Sequence, residues 1–213
     1  MIEVKNLTKH FGDIKVLDHA SLTIGDHEIM CLTGPDGAGR STLLRLLAGV
    51  LKGDMGTIVM DNMPVYDNNN TKQHMFFIPT NPYFFMGAKA FDMGEYYSRV
   101  YPFWNMDRFM ELLNMCGIAP DTRLNRSSDD VKNMFMLACA VASEPRYLLC
   151  DETIDKLGET ARKIFADILY SELNKGYLTL VVATSDYDSI KHFFEEEMED
   201  TGYELRLFDV GSN

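Results

Sequence analysis

Apolar positions in this chain fall into short alternating or dense runs in its first and last thirds and into helical spacing between them, which predicts an α/β protein. Ile2, Val4 and Leu7, then Leu22 and Ile24, are spaced as in half-buried strands. The run from His27 to Gly34 is denser and ends on glycine, as a buried strand does before a tight turn. Leucines at helical spacing follow in STLLRLLAGVLKG, with Gly53 as the predicted stop. Asp67 to Asn70 reads as a polar turn and His74 to Thr80 as a second compact strand. From about Phe91 to Ala142 the spacing is helical, broken at YPFWN and around Asn125 to Asp130. RYLLCDE, a helical stretch from Glu159 to Asn174, LTLVVATS, a helix from about Asp188 and YELRLF then restore strand–helix alternation, without internal repeats.

Composition narrows the possibilities. With 213 residues, 46% of them hydrophobic, the chain has material for one sizeable core and a small insertion. A net charge of −12 argues against nucleic acid as a partner, because that grip depends on Lys and Arg meeting phosphates. No apolar run approaches the roughly 20 residues needed to cross a bilayer, and MIEVKNLTKHFG lacks the layout of a signal peptide, so the expected location is the cytosol. Cys31, Cys116, Cys139 and Cys150 lie far apart within apolar stretches, which predicts buried thiols rather than a metal or redox site.

The strongest chemical signal is GPDGAGRST, Gly34 to Thr42. It has the spacing of a phosphate-binding loop, with Arg40 where lysine is expected. Gly34, Gly37, Ala38 and Gly39 would let backbone N–H groups approach phosphates, the next helix would offer its N-terminus, and Ser41 its hydroxyl to Mg²⁺. A distant strand, YLLCDE, ends on Asp151 and Glu152. In loops of this kind such an Asp holds Mg²⁺ through water and an adjacent Glu polarises the attacking water.

Over nearly its whole length the chain resembles the ATP-binding subunit of ABC transporters. NLTKHFGDIKVL is similar to that family's opening, and Phe11 matches its adenine-stacking aromatic, though a core phenylalanine would also satisfy the pattern. YPFWNMDRFMELLNMCGI resembles the helical subdomain of a bacterial exporter branch with a YP-x-W-D motif, Asn105 replacing the Asp. ACAVASEPRYLLCDET matches the run from the signature helix into the Mg²⁺ strand, which implies Asp151 for the metal and Glu152 as candidate base. The resemblance implies a P-loop NTPase of ABC ATPase type: one domain over 1–213, a mixed sheet core with a small antiparallel β part, and a helical subdomain inserted at about 88–144. It also implies ATP and Mg²⁺ as ligands and a homodimer or heterodimer with another ATP-binding subunit. A separate membrane permease would hold the chain at the inner face of the cell membrane, with export as the direction.

Several family positions are replaced. Counting back from Pro145 sets Ser127–Val131 over the signature LSGGQ, so Ser128 keeps its serine while Asp129 and Asp130 stand for its glycines. An Asp about 5 Å from a partner-bound phosphate at a dielectric near 20 would be repelled by roughly 3 kcal/mol. The same Ser128-Asp129-Asp130 also reads as a good helix cap. Thr80 stands for the Q-loop glutamine, Ser185 for the switch histidine, Thr153 for a proline and Gly158 for the D-loop aspartate. Arg40 keeps the charge of lysine in a bulkier, planar form. The expectation is a degenerate subunit in which binding outlasts hydrolysis. Met106, Met110 and Met115 read either as an adaptable permease-facing surface or as core. Two other classes share the fold: a non-catalytic regulatory or scaffold protein, and a soluble ABC protein of DNA repair or translation. The latter typically carries tandem cassettes, zinc modules or coiled coils, which this sequence does not.

Overall fold

The computed structural model describes residues 1–197, 203 and 205–211. Five strands pair entirely in parallel: β3 (Ile29–Thr33), β6 (Met75–Ile78), β7 (Tyr147–Asp151), β8 (Thr179–Ala183) and β9 (Leu205–Asp209), in the order β6-β7-β8-β3-β9. Strand alternation divides the core into two. Cys31, Leu148, Cys150, Leu180 and Val182 face one apolar cluster, while Met30, Leu32, Tyr147, Leu149 and Val181 face the other. Both faces are therefore covered, which is why these strands read as dense apolar runs.

On the second face lie helix α1 (Arg40–Leu47) and an antiparallel sheet. That sheet is ordered β2-β1-β4-β5, from β1 (Ile2–Phe11), β2 (Ile14–Ile24), β4 (Met55–Met60) and β5 (Met63–Pro64). Leu7 follows Val4 at a spacing of three because the register shifts between them and Asn6 takes φ 51°, which returns Leu7 to the buried side. Strands β4 and β5 escaped the apolar pattern because only Met60 among their residues is fully buried.

Helix α1 stops at Leu47 rather than at Gly53. Gly49 takes φ 64°, and the Gly49 and Val50 N–H groups donate to the carbonyls of Leu46 and Arg45. A side chain on Gly49 would place its Cβ 2.7 Å from the Val65 carbonyl oxygen, so the stop is fixed there by space as well as by conformation. The predicted turn Asp67–Asn70 is also partly helical: the Asn68 side chain accepts from the Asn70 N–H at 3.0 Å and caps α2 (Asn69–Lys72).

Between β6 and β7 run α3 (Ala90–Val100), α4 (Met106–Met115), a 3₁₀ turn at Leu124–Arg126 and α5 (Asp129–Ala142). With α6 (Glu159–Leu173) and α7 (Tyr187–Glu197), they build the first cluster. The YPFWN break is an aromatic joint. Trp104 stacks on Tyr97 and Tyr101 on Phe76, while Asn105 accepts from the Arg108 N–H at 2.9 Å to cap α4. Met106 and Met110 pack against the core, whereas Met115 is 42% exposed. Cys31, Cys139 and Cys150 are buried and Cys116 is half-buried; burial pushes the Cys31 and Cys116 thiols up to about 12. Of the predicted strand YELRLF, Glu204 lies outside the described residues. Among the described residues no helix is long and apolar enough to cross a membrane.

Candidate functional site

Parallel strands present their carboxyl ends to one edge of the sheet, and the predicted residues gather there. Gly34 follows β3, Asp151 ends β7 with Glu152 next after it, Thr80 lies just past β6, and Ser185 just past β8. The loop Gly34–Gly39 joins β3 to α1. Gly39 takes φ 99°, and a Cβ there would meet Val16 at 2.9 Å, so only glycine lets the loop pass so close to β2. Helix α1 begins with no side-chain cap and no acid in its first turn, leaving its N-terminal N–H groups to an anion.

Asp151 shares the parity of Tyr147 and Leu149 and therefore points to the face that α1 covers. There Ser41 Oγ donates to Asp151 Oδ1 at 2.7 Å, while Asp151 Oδ2 is buried without a hydrogen-bond partner. An orphaned acidic oxygen beside a serine hydroxyl is a donor set that suits Mg²⁺, a cation that keeps several waters and draws its remaining ligands from phosphates.

Arg40 is only 5% exposed. Its Nη1 donates to the Gly34 carbonyl and, at 2.9 Å, to that of Pro35. Nη2 meets Glu152 Oε1 at 3.2 Å and Asp36 Oδ1 at 3.4 Å. Lys156 stands 3.9 Å from the other Glu152 oxygen, so the candidate base lies between two cations. Glu152 also adopts φ 50°, a conformation side chains seldom take, fixed by its N–H donating to the Ala183 carbonyl at 3.0 Å. A cavity of about 450 Å³ lies over the loop, walled by Phe11, Val16, Arg40, Ser41, Thr42 and Glu152 among others. Phe11 is 48% exposed with Lys9 Nζ 5.5 Å from its ring centre; it is a surface aromatic at the cavity rather than a core one.

Ser128, Asp129 and Asp130 lie outside that cavity. Ser128 caps α5 and Asp129 pairs with Lys132 at 3.1 Å. Asp130 Oδ1 accepts from the Gly158 N–H at 3.1 Å, at the start of α6, whose own cap residue supplies no side chain. Thus Asp130 and Gly158, 28 residues apart in sequence, touch.

The sequence reading passed over Asp155, whose Oδ2 accepts from Thr184 Oγ1 at 2.8 Å. Burial, followed by the charges of Glu152 and Asp186, raises its carboxyl above the usual range against the opposing Thr184 hydrogen bond. Its place three residues after Glu152, in the segment linking β7 to α6, was the available signal.

The sequence profile described as ABC transporter matches residues 17–155, more than half of the chain. The chain is 26% identical over 191 residues to the ABC transporter ATP-binding protein YtrB of Bacillus subtilis (strain 168), covering 90% of this chain and 65% of that protein. It is 33% identical over 209 residues to the methionine import ATP-binding protein MetN of Clostridium tetani (strain Massachusetts / E88), covering 90% of this chain and 63% of that protein. The chain therefore spans less than two thirds of the length of these relatives. A solved ATP-binding subunit of an ABC transporter superposes with a TM-score of 0.84 at 18% identity, over 99% of this chain and 87% of the other. A dimeric bacterial ABC transporter cassette does so with a TM-score of 0.81 at 21% identity, over 99% and 95%. Those identities speak for the fold alone, but the fold, the phosphate loop facing Asp151 and the sequence match converge: the chain belongs to the ABC transporter family, as an ATP-binding domain of that family.

Proposed function

We propose that the chain binds Mg²⁺-ATP at Gly34–Thr42 and serves as a nucleotide-responsive subunit of a transporter whose permease is a separate protein. The observation that carries this reading is the Ser41 hydroxyl bound to one oxygen of Asp151 while the other oxygen is buried without a partner, at the start of a helix that has no side-chain cap. Phe11 at the cavity rim is the stacking partner for adenine, and Ser41 and Asp151 are the residues that would hold Mg²⁺. The metal's contribution when bound is to neutralise phosphate charge.

In this reading hydrolysis is slow. Glu152 must leave Arg40 and Lys156 before it can accept a proton, and Thr80 and Ser185 reach less far than glutamine and histidine. Each lost transition-state contact costs about 2.7 to 4 kcal/mol, without simple additivity. We take residues 1–213 as one cassette with a helical subdomain at about 88–144. It pairs with itself or with a more complete ATP-binding subunit, and the permease holds it at the inner face of the cell membrane. An apolar groove of about 580 Å³ between the α1 end and α3, with Val50 65% and Val100 53% exposed, supports docking on that permease. Export is the direction we propose, on the YP-x-W segment; relatives named for import, such as MetN, set the competing expectation.

The test is equilibrium binding of Mg²⁺-ATP to the full chain and to Asp151→Ala and Arg40→Ala. Binding that both variants weaken supports the proposal. A chain that binds no nucleotide yet holds a stable protein complex would replace it with the scaffold reading.

A further inference from the structure

The 184–186 turn after β8 is organised by one hydroxyl. Thr184 is fully buried, and its N–H donates to the Leu32 carbonyl at 3.1 Å. Its Oγ1 accepts from the Asp186 N–H at 2.9 Å and spends its single proton on Asp155 Oδ2 at 2.8 Å. Asp155 thereby aims the hydroxyl so that its lone pairs face Asp186, closing a turn with Ser185 exposed at its apex. The residue before this turn, Ala183, accepts the N–H of Glu152. The segment from Glu152 to Asp155 is thus bound to this region at both ends, by the Glu152 N–H to Ala183 and by the Asp155 side chain to Thr184.

The position is an uncomfortable one for an acid. Asp155 Oδ1 is buried with no hydrogen-bond partner, and Glu152 and Asp186 add like charge that Arg162 only partly offsets. Arg162 itself is engaged with the Ser189 carbonyl at 2.9 Å and with Ser189 Oγ at 3.1 Å. A residue kept there against burial and repulsion needs a reason other than stability.

We propose that Asp155 is a positioning residue of the nucleotide site. It holds the 184–186 turn against Glu152, so that Ser185 faces the phosphate end of the cavity when nucleotide is bound. The functional half of this inference rests on the loop being a nucleotide site; the structural half does not.

The experiment compares the full chain with Asp155→Asn, Asp155→Ala and Thr184→Val. Amide hydrogen exchange of residues 184–187 is followed with and without Mg²⁺-ATP, and affinity is measured in parallel. In the wild type and in Asp155→Asn, whose amide oxygen still accepts from Thr184, Mg²⁺-ATP slows exchange in the turn by about 10-fold. Asp155→Ala and Thr184→Val lose that slowing while binding Mg²⁺-ATP within about 3-fold of the wild type. Slowing retained by Asp155→Ala, or lost by Asp155→Asn, overturns the proposal. If no protein binds Mg²⁺-ATP, the nucleotide reading fails by itself and the positioning role is judged on the free chain. There, exchange in the turn speeds up about 10-fold in Asp155→Ala and Thr184→Val but not in Asp155→Asn, and any other pattern removes the role.

Discussion

The phosphate-loop end of this chain and the end that spacing aligns with the family signature differ from the pattern expected of them in different physical ways. At the loop, Arg40 keeps the sign of the lysine charge and changes its shape, and the groups that receive its donors are local: the Gly34 and Pro35 carbonyls, Asp36 and Glu152. At the signature end the charge itself has moved. An acid is absent at Gly158, acids are present at Asp129 and Asp130, and Asp130 turns inward to meet Gly158. The first arrangement holds Glu152, the proposed base, in an ion pair with Arg40. The second joins α5 to α6 within the chain, through Asp130 and the Gly158 N–H.

Removing Asp151 should do the most damage at the loop end. Asp151→Ala is expected to weaken the Mg²⁺-dependent part of ATP binding by about 10- to 100-fold, as losses of outer ligand partners do, measured by titration with and without Mg²⁺. Arg40→Lys sharpens the contrast from the other side. Freeing Glu152 from the guanidinium fork should raise phosphate release by about 10-fold, well short of a full general-base contribution because Thr80 and Ser185 remain short. An unchanged rate would mean that the ion pair is not what restrains Glu152.

At the signature end the expected effects are on stability. Asp130→Ala should lose about 1 kcal/mol with its cap on α6, read by chemical denaturation. Gly158→Asp alone should also destabilise, since its Cβ would lie 3.0 Å from Asp130 Oδ2. Combining it with Asp130→Gly should recover part of the loss, with a coupling of about 1 kcal/mol. Simple additivity would show that the two replacements are independent.

The smallest effect concerns Asp155. An acid whose folded-state value is raised binds its proton more tightly when folded, so its charge weakens the fold at higher pH and that penalty fades as pH falls through the folded value. Asp155→Asn should therefore melt about 2 °C above the wild type near pH 8 and converge with it as pH approaches 3.8, the ordinary aspartate value. A difference that grows in acid would mean that the Asp155 charge supports the fold instead of weakening it.

What the sequence disclosed follows the strength of its local signals. Buried parallel strands announce themselves as dense apolar runs, and glycines spaced as they are before Arg40 are characteristic of phosphate-binding turns, so β3, the loop and the Asp151 strand were legible. Strands β4 and β5 were not, because five of the six β4 residues and both residues of β5 retain exposure, and β4 joins the sheet through the remote strand β1. The end of α1 was misplaced because two glycines compete, and the crowding of Gly49 by Val65 and Lys72, remote in sequence, is part of what decides for it. The replaced signature positions could be named from spacing, but their contact with Gly158 is a tertiary fact. Asp155 went unread for the same reason, since Thr184 lies 29 residues away.

The function proposed for this chain turns on a loop that binds nucleotide while Glu152 is held in its ion pairs. The chain in excess should be mixed with labelled Mg²⁺-ATP, the bound fraction separated, and its ATP and ADP quantified over time. The expected result is stoichiometric bound nucleotide that stays ATP for many minutes and becomes ADP sooner in Arg40→Lys. No bound nucleotide, or conversion to ADP at the roughly 1 to 10 per second of an ordinary enzyme, would contradict it.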